Sequence, residues 1–450
     1  MGSFGAHAVV VGGSMAGLAA ARVLADRFDE VTVVERDHLP GGAVDRRGVP
    51  QGGHAHALLV SGNHALEELF PGLTDELVTA GAVAFDPGSD VVFHQMGGAR
   101  LRFASGMLGI SLSRALLEHT VRSRVAALPA VRIRDRIAVC GLTGSAGRVT
   151  GVELDGGETL AADLVVDATG HSGARTDRWL RALGCPVPGT ATVKVDIGYT
   201  TRLLRREPGE RLADGALLYL IAGVPPHDRR AAAVLPVEDG RWVVTLAGWH
   251  GAHAPADPRG FAGFAAGLPA PHIGELVARA RPADDGGPRK FTYPRSRRRF
   301  FERLRTPPAG LVTVGDALCS FNPVYGQGMS VAALEAIQLG RCLDRFGTPS
   351  APMARAYYRA AARVVAAPWQ LATGGDFMYP ETAGPRPPGT GLVNRYVRLM
   401  LRASHVSVEA HRVVLGMQHL LVPPSAALRP ATVVRTLLAA RRARRGAGPS

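Results

Sequence analysis

The chain has 450 residues, more than one hydrophobic core usually holds, so two or three subdomains are expected. Its 46% hydrophobic and 20% charged content is that of a globular protein, and no run of about 18 uncharged apolar residues is present to span a bilayer. The formal net charge of +14 is almost entirely arginine, and the clusters at 295–299 (RSRRR) and 441–445 (RRARR) lack the stacking aromatics or the module that nucleic-acid binding needs, so they read first as solvated basic surface, with a membrane surface or an acidic protein partner as the alternatives.

In chain order, His7–Val11 (HAVVV) predicts a strand, GGSMAG a turn, LAAARVLADRF a helix and VTVVERD a second strand ending in an acid, a βαβ unit of about thirty residues. Residues 40–56 are Gly/Pro-rich loop. ALLVSGNHALEELF and SLSRALLEHTVRSRVAAL follow as helices, the second with Ser111 or Ser113 as N-cap. Two short β segments lead to ADLVVDATG at 162–170, a buried strand running into a turn. Alternating segments over about 185–300 predict an antiparallel sheet with a hairpin turn at Asp239-Gly240. GDALCSFNPVYGQGMS at 315–330 then enters a helical pattern that dominates 351–446, broken near 380–390 by PETAGPRPPGTG. The expected fold is α/β: a Rossmann-like domain from 1–184 and 301–345, an inserted antiparallel-sheet substrate domain over 185–300, and a mostly helical region over 346–450.

Two stretches carry chemistry. VVVGGSMAG…VTVVERD has the strand, glycine-rich turn, helix and terminal acid of a dinucleotide-binding unit, in which glycines let the backbone approach a pyrophosphate at a helix N-terminus. Gly12 and Gly17 take the first and third glycine positions and Ser14 the second, with Gly13, Met15 and Ala16 between them; Glu35 is placed to accept from a ribose. The alternative for this unit is a tight turn with no ligand; for 315–330 it is a Gly-rich αβ connection, which would explain the glycines but not Asp316. The second stretch has no role for a nicotinamide nucleotide alone, but it has one for FAD, whose ribityl and ring end needs a second anchor. Asp316 can bond ribityl hydroxyls; Pro323, Gly326 and Gly328 let the loop lie beside the isoalloxazine; a helix starting near Gln327 or Met329 directs its positive end at the ring.

GGSMAG, SRALLE, ADLVVDATG and GDALCSFNPVYGQGMSVAALEA together resemble the FAD-dependent monooxygenases of the p-hydroxybenzoate-hydroxylase structural group. RRGVPQGGHAHALL, EELFPGL and NPVYGQGMS further resemble the flavin epoxidases of polyether antibiotic pathways, the monensin and lasalocid type. The likeness covers most of 7–345 and thins beyond. It implies that Glu35 and Arg36 hold the adenosine end, that Arg47 and Gln51 sit in a loop near the cofactor, that Arg114 reaches the phosphates or ribityl chain, and that Gly326–Met329, including Gln327, line the ring. It further implies a flavin C4a-hydroperoxide that passes one oxygen atom of O₂ to an electron-rich carbon, an alkene of a polyene polyketide being the expected apolar substrate. On that reading no acid–base residue of the chain is catalytic. DATGHSG departs from the Asp-Gly pair of the aromatic hydroxylases and no second nucleotide fingerprint follows, so the electron donor is NAD(P)H docking transiently or a separate flavin reductase.

Remaining residues give weaker signals. His54 and His56 lack a third ligand in register, so no metal site is expected. Tyr199, Tyr219, Trp242 and Trp249 in the sheet region are candidates for a substrate pocket, or plain core. The cysteines, Cys140, Cys185, Cys319 and Cys342, form no C-x-x-C pair, which points to a reducing, cytoplasmic setting without disulfides, and Cys319 reads as packing in the flavin loop. An FAD-dependent reductase of isoprenoid double bonds, an aromatic hydroxylase and a non-catalytic flavin-binding partner are the rival readings. A halogenase would carry W-x-W-x-I-P, which is absent.

Overall fold

The computed structural model describes residues 4–446 other than 57 and 172, and of 173–174 and 443–446 the backbone alone. Strand β1 (His7–Val11), helix α1 (Met15–Ala25) and strand β2 (Glu30–Val34) form the expected βαβ unit. They lie in a five-stranded parallel sheet ordered Leu311–Thr313, Leu164–Asp167, β1, β2, Val131–Arg134. Both faces of this sheet are covered, which is why β1 reads as a continuous run of β-branched residues rather than an alternation. Helix α1 is buried almost all round, at Leu18, Ala19, Ala20, Ala21 and Leu24. Its small side chains let it sit between the sheet and a helix from far along the chain, Gly328–Phe346.

A second, eight-stranded sheet runs in the order Cys319–Ser320, Arg289–Arg299, Thr190–Arg205, Arg241–Trp249, Arg230–Val237, Leu218–Ala222, Val91–Gln95, Gly98–Ala99. Asp239 and Gly240 both take positive φ, 60° and 58°, and join two of its strands as a tight hairpin. Two features depart from a purely antiparallel sheet cut from 185–300. Leu218–Ala222 pairs in parallel with Val91–Gln95, and strands from 91–99 and 319–320 extend the sheet at its two edges. Those added strands are short, with too little alternation to stand out from loop.

One face of the large sheet is covered by the helices Pro258–Ala266 and His272–Arg279, and Trp242, Phe261, Ile273 and Leu276 form a core there. The other face carries Tyr199, Trp249 and Tyr293, which meet Phe377 and Tyr379. We label Arg114–Ala126 α2, Gly328–Phe346 α3, Ala351–Asp376 α4, Thr390–Ala403 α5 and Val408–Gln418 α6. Ser113 caps α2 by accepting from the Leu116 N–H at 3.0 Å. Helices α5 and α6 meet around a methionine-rich core of Met96, Met378, Met400 and Met417.

The basic run 295–299 is not all solvated surface. Arg299 is 1% exposed, pairs with Asp177 and donates to the Ala317 carbonyl at 3.1 Å, because strand alternation turns it inward. Arg441 and Arg442 are exposed, and the side chains of 443–445 lie outside the described residues.

At Gly17 a Cβ would stand 1.8 Å from the Gly12 carbonyl oxygen, a backbone atom that cannot swing away. Gly17→Ala should therefore destabilise the fold by about 3 kcal/mol or more in urea titrations, in FAD-stripped protein as well as in holoprotein. Stability lost only when cofactor is present would mean that the glycine serves the ligand alone.

Candidate active site

The parallel sheet, the large sheet and helices α3 to α6 enclose one cavity of about 1410 Å³, larger than the ~300–1,000 Å³ that holds a single small ligand. At one end stands the turn between β1 and α1. Gly12 has φ +112°, and a Cβ there would meet the Ala168 carbonyl at 2.5 Å, so only glycine lets the chain pass this close to its neighbouring strand. Gly12, Ser14, Met15 and Ala16 line the cavity, whereas Gly13 and Gly17 face away. The Gly13 N–H donates to Glu35 Oε2 at 2.8 Å, which ties the turn to the end of β2, and the Asp37 N–H donates to Glu35 Oε1 at 3.0 Å. Glu35 Oε1 keeps a further acceptor position, whereas Oε2 also faces Arg46 Nη1.

Behind this turn lies a buried ion cluster. Arg114 donates to Ser14 Oγ at 2.7 Å and pairs with Glu118 at 3.1 Å; Arg46 Nε pairs with Glu118 at 2.6 Å, and its Nη1 with Glu35 at 3.3 Å. Burial alone would raise the Glu118 carboxyl, but Arg114 and Arg46 outweigh it and hold it below its ordinary range. The chain places Arg46, not Arg47, in this cluster: Arg47 is exposed and away from the cavity, while Arg36 and Gln51 line it. The loop spacing could not distinguish the two adjacent arginines. Glu118 was legible as the i,i+4 partner of Arg114 in SRALLE.

The far segment meets the same cavity. Asp316, Pro323, Gly326, Gln327, Gly328 and Met329 all line it. Gly315 and Gly326 take positive φ, 61° and 65°, turning the chain into and out of this loop. The N-termini of α1 and α3, at Ser14 and Gln327, both lack a side-chain cap, and buried Gln327 Oε1 has no partner. Two helix ends with free N–H groups thus open on one cavity, joined by a glycine cradle, an acid at the end of β2 and an acid in the far loop. These residues fit an extended, negatively charged dinucleotide such as FAD.

Behind the far loop is a polar network that the sequence did not announce. Asn322 Oδ1 accepts from the Tyr199 hydroxyl at 2.8 Å and from the Val324 N–H at 3.2 Å. Its Nδ2 donates to Asp376 Oδ1 at 2.8 Å, an oxygen that also accepts from Trp249 Nε1 at 3.1 Å and from Tyr325 at 3.4 Å. Burial pushes the Asp376 carboxyl up to about 7 against those three donors. No motif marks this aspartate; the only hint is that it is the lone acid in 351–380.

Of the four sheet aromatics, Tyr199 and Trp249 line the cavity. Tyr219 and Trp242 do not: strand alternation sends both to the opposite face, into the core beneath Phe261. His54 and His56 line the cavity and are pushed down to about 4 and about 3, chiefly by burial. Their Nδ1 atoms meet Thr201 Oγ1 at 2.8 Å and the His54 carbonyl at 2.9 Å. Among the described residues no three His, Cys, Asp or Glu side chains come together as a metal site requires. The Cys319 thiol is fully buried and raised by burial, which leaves it a packing group.

Fold and site together have the form expected of a dinucleotide-binding flavoprotein. The sequence model of the FAD dependent oxidoreductase family matches residues 8–173. Protein Rv3254 of Mycobacterium tuberculosis (strain ATCC 25618 / H37Rv) is 35% identical over 401 residues, 85% of this chain and 82% of that protein. This chain belongs to that family of FAD-dependent oxidoreductases, and FAD is its cofactor. The fold is shared with PqsL, a probable FAD-dependent monooxygenase from Pseudomonas aeruginosa, at TM-score 0.61 and 18% identity over 83% of this chain and 97% of that one. It is likewise shared with a flavoprotein/dehydrogenase from Cytophaga hutchinsonii, at TM-score 0.67 and 14% identity over 98% and 99%.

Asp376 sets a pH dependence. An unfolded aspartate titrates near 3.8, so between there and about 7 the folded protein keeps a proton that the unfolded chain has lost, and stability falls as pH rises across that window. Asp376→Asn cannot ionise and keeps an acceptor oxygen, so its melting temperature should gain on the parent's as pH rises from about 5 to 8. Asp376→Ala strands three donors and should cost about 2–4 kcal/mol. A constant difference between Asp376→Asn and the parent across that range would contradict the raised carboxyl.

Proposed function

We propose that this protein is an FAD-dependent monooxygenase that adds one oxygen atom of O₂ to an alkene of an apolar, polyketide-type substrate. The observation that carries the reading is the convergence of two uncapped helix N-termini, from opposite ends of the sequence, on one cavity too large for a single small ligand. Bound FAD, reduced by NAD(P)H or a partner reductase, supplies the redox chemistry that activates O₂. Alkene, O₂, two electrons and two protons balance against epoxide and water.

The chain's own residues bind and orient. Gly12, Ser14 and the N-terminus of α1 would hold the pyrophosphate, with Arg114 fixing Ser14 from behind. Glu35 would take the adenosine ribose, and Arg36 lies alongside in the same cavity. Asp316 would hold ribityl hydroxyls, and the backbone of 323–329 would bed the ring. There the N-terminus of α3 favours negative charge. Asn322 keeps this loop in place through Tyr199, Val324 and Asp376. The aromatic side chains of Tyr199, Trp249 and Phe291 on the large sheet exclude water from the reacting end.

One observation supports an alkene rather than a phenol as substrate. Phenol hydroxylation wants a base for the substrate proton, and two of the imidazoles lining the cavity, His54 and His56, pushed to about 4 and about 3, are weak bases. Epoxidation needs no substrate proton removed.

Turnover of a polyene panel under ¹⁸O₂ should give products carrying one labelled oxygen on what had been an alkene carbon. Saturated or unlabelled products would overturn the reading. Asp316→Ala should weaken FAD binding by about tenfold, read by absorbance titration of stripped protein. Unchanged affinity would remove Asp316 from the cofactor site.

A further inference from the structure

The cavity does not end at the aromatic face. It continues between Val91–Gln95 and helices α5 and α6, where Phe93, Met96, Tyr396, Met400, Val414 and Met417 line it. Into this apolar wall comes Arg100, 4% exposed. Its Nη1 donates to Gln418 Oε1 at 2.6 Å and its Nη2 to Gln95 Oε1; its Nε has no partner, and its guanidinium carbon lies 4.1 Å above the Phe93 ring. Every one of these partners is neutral.

Among the described residues no carboxylate pairs with this cation. Burial draws its pKa down to about 9 with no opposing acid to raise it. The nearby His411 and His419 are pushed to about 4 by burial and by Arg100 itself, so near pH 7 they are neutral and, like any imidazole, offer no countercharge. His411 Nδ1 meets the Leu101 carbonyl at 2.6 Å, and the Val60 N–H donates to His419 Nδ1 at 3.2 Å, which leaves the neutral His419 ring carrying its proton on Nε2. The contrast within the chain is sharp. Arg46, Arg114 and Arg299, the other well-buried arginines considered above, are each paired with a carboxylate. A buried, uncompensated guanidinium is costly to the fold, since two amide carbonyls accept from only two of its five N–H groups and leave its charge unneutralised. It is the feature expected where a ligand brings the missing anion.

We infer that Arg100 is the recognition group for an anionic terminus, a carboxylate, on the substrate, whose apolar body lies along the methionine-lined wall toward the flavin loop. The inference rests on the proposed function for the identity of the cavity as the substrate site, and it names the substrate class: a long apolar acid, rather than a neutral hydrocarbon or an alcohol. The guanidinium fork takes the carboxylate, His419 Nε2–H is a second donor within the same pocket, and the methionines adapt to the apolar chain.

Straight-chain alkanoates of ten to sixteen carbons, each compared with its primary alcohol, test this on yellow holoprotein by calorimetric titration. The parent should bind each acid at least about thirtyfold tighter than its alcohol, Arg100→Lys should keep a reduced preference, and Arg100→Gln should lose it. Equal affinity for acid and alcohol, binding of neither, or a preference that survives in Arg100→Gln overturns the inference. The parent comparison alone decides the first two outcomes, whatever the variants do. FAD content is read from absorbance in the same samples, so a colourless protein would fail the proposed function, whereas a yellow protein indifferent to the carboxylate would fail this inference only.

Discussion

The structure depends on one close approach. The parallel sheet brings β1 beside Leu164–Asp167, and Gly12 lets the backbone turn within van der Waals reach of the Ala168 carbonyl. Because Gly17 then sits directly under Gly12, α1 starts at the C-terminal end of the central strand, with Ser14, Met15 and Ala16 lining the cavity. The strand Leu311–Thr313 on the far side of Leu164–Asp167 delivers the second loop to the same end of the sheet. Neither loop could meet the other if the order of these strands differed. The convergence of the two loops is therefore a consequence of sheet topology, and side chains refine it.

Around that clamp the chain divides its charges by role. Behind the β1–α1 turn, arginines and carboxylates neutralise one another, and the cluster fixes Ser14 and Glu35. Behind the second loop, a single carboxyl near neutrality gathers three donors and holds Asn322. At the remote end of the cavity one guanidinium stays unneutralised. Paired charge supports the frame in the first place and a hydrogen-bonded carboxyl in the second, whereas unneutralised charge in the third marks where a ligand belongs.

Much of this was legible in the amino-acid order, and for identifiable reasons. The βαβ unit combines a hydrophobic period with glycines at fixed offsets, so strand, turn and acid are all visible, and Asp239-Gly240 marks its hairpin by chemistry alone. The far loop shows itself by an acid and glycines leading into a helical pattern, and the family likeness over most of 7–345 agrees with it. What stayed hidden depends on which way a side chain points. Tyr219 and Trp242 look equivalent to Tyr199 and Trp249 until strand register assigns faces. Arg46 and Arg47 are neighbours with opposite fates. Asp376 and Arg100 lie in segments with no motif, and their meaning comes from partners on other elements of the chain, or from the absence of a countercharge, which no local pattern records.

The central claim is that two separated loops grip opposite ends of one dinucleotide, and ligand halves test it most directly. The account predicts that ADP and riboflavin occupy stripped protein together without competing. It further predicts that FAD displaces both and binds far more tightly than either, since linking the halves raises the effective concentration of the second. If ADP and riboflavin exclude one another, or FAD binds no better than ADP alone, the two loops do not share a ligand and the account is contradicted.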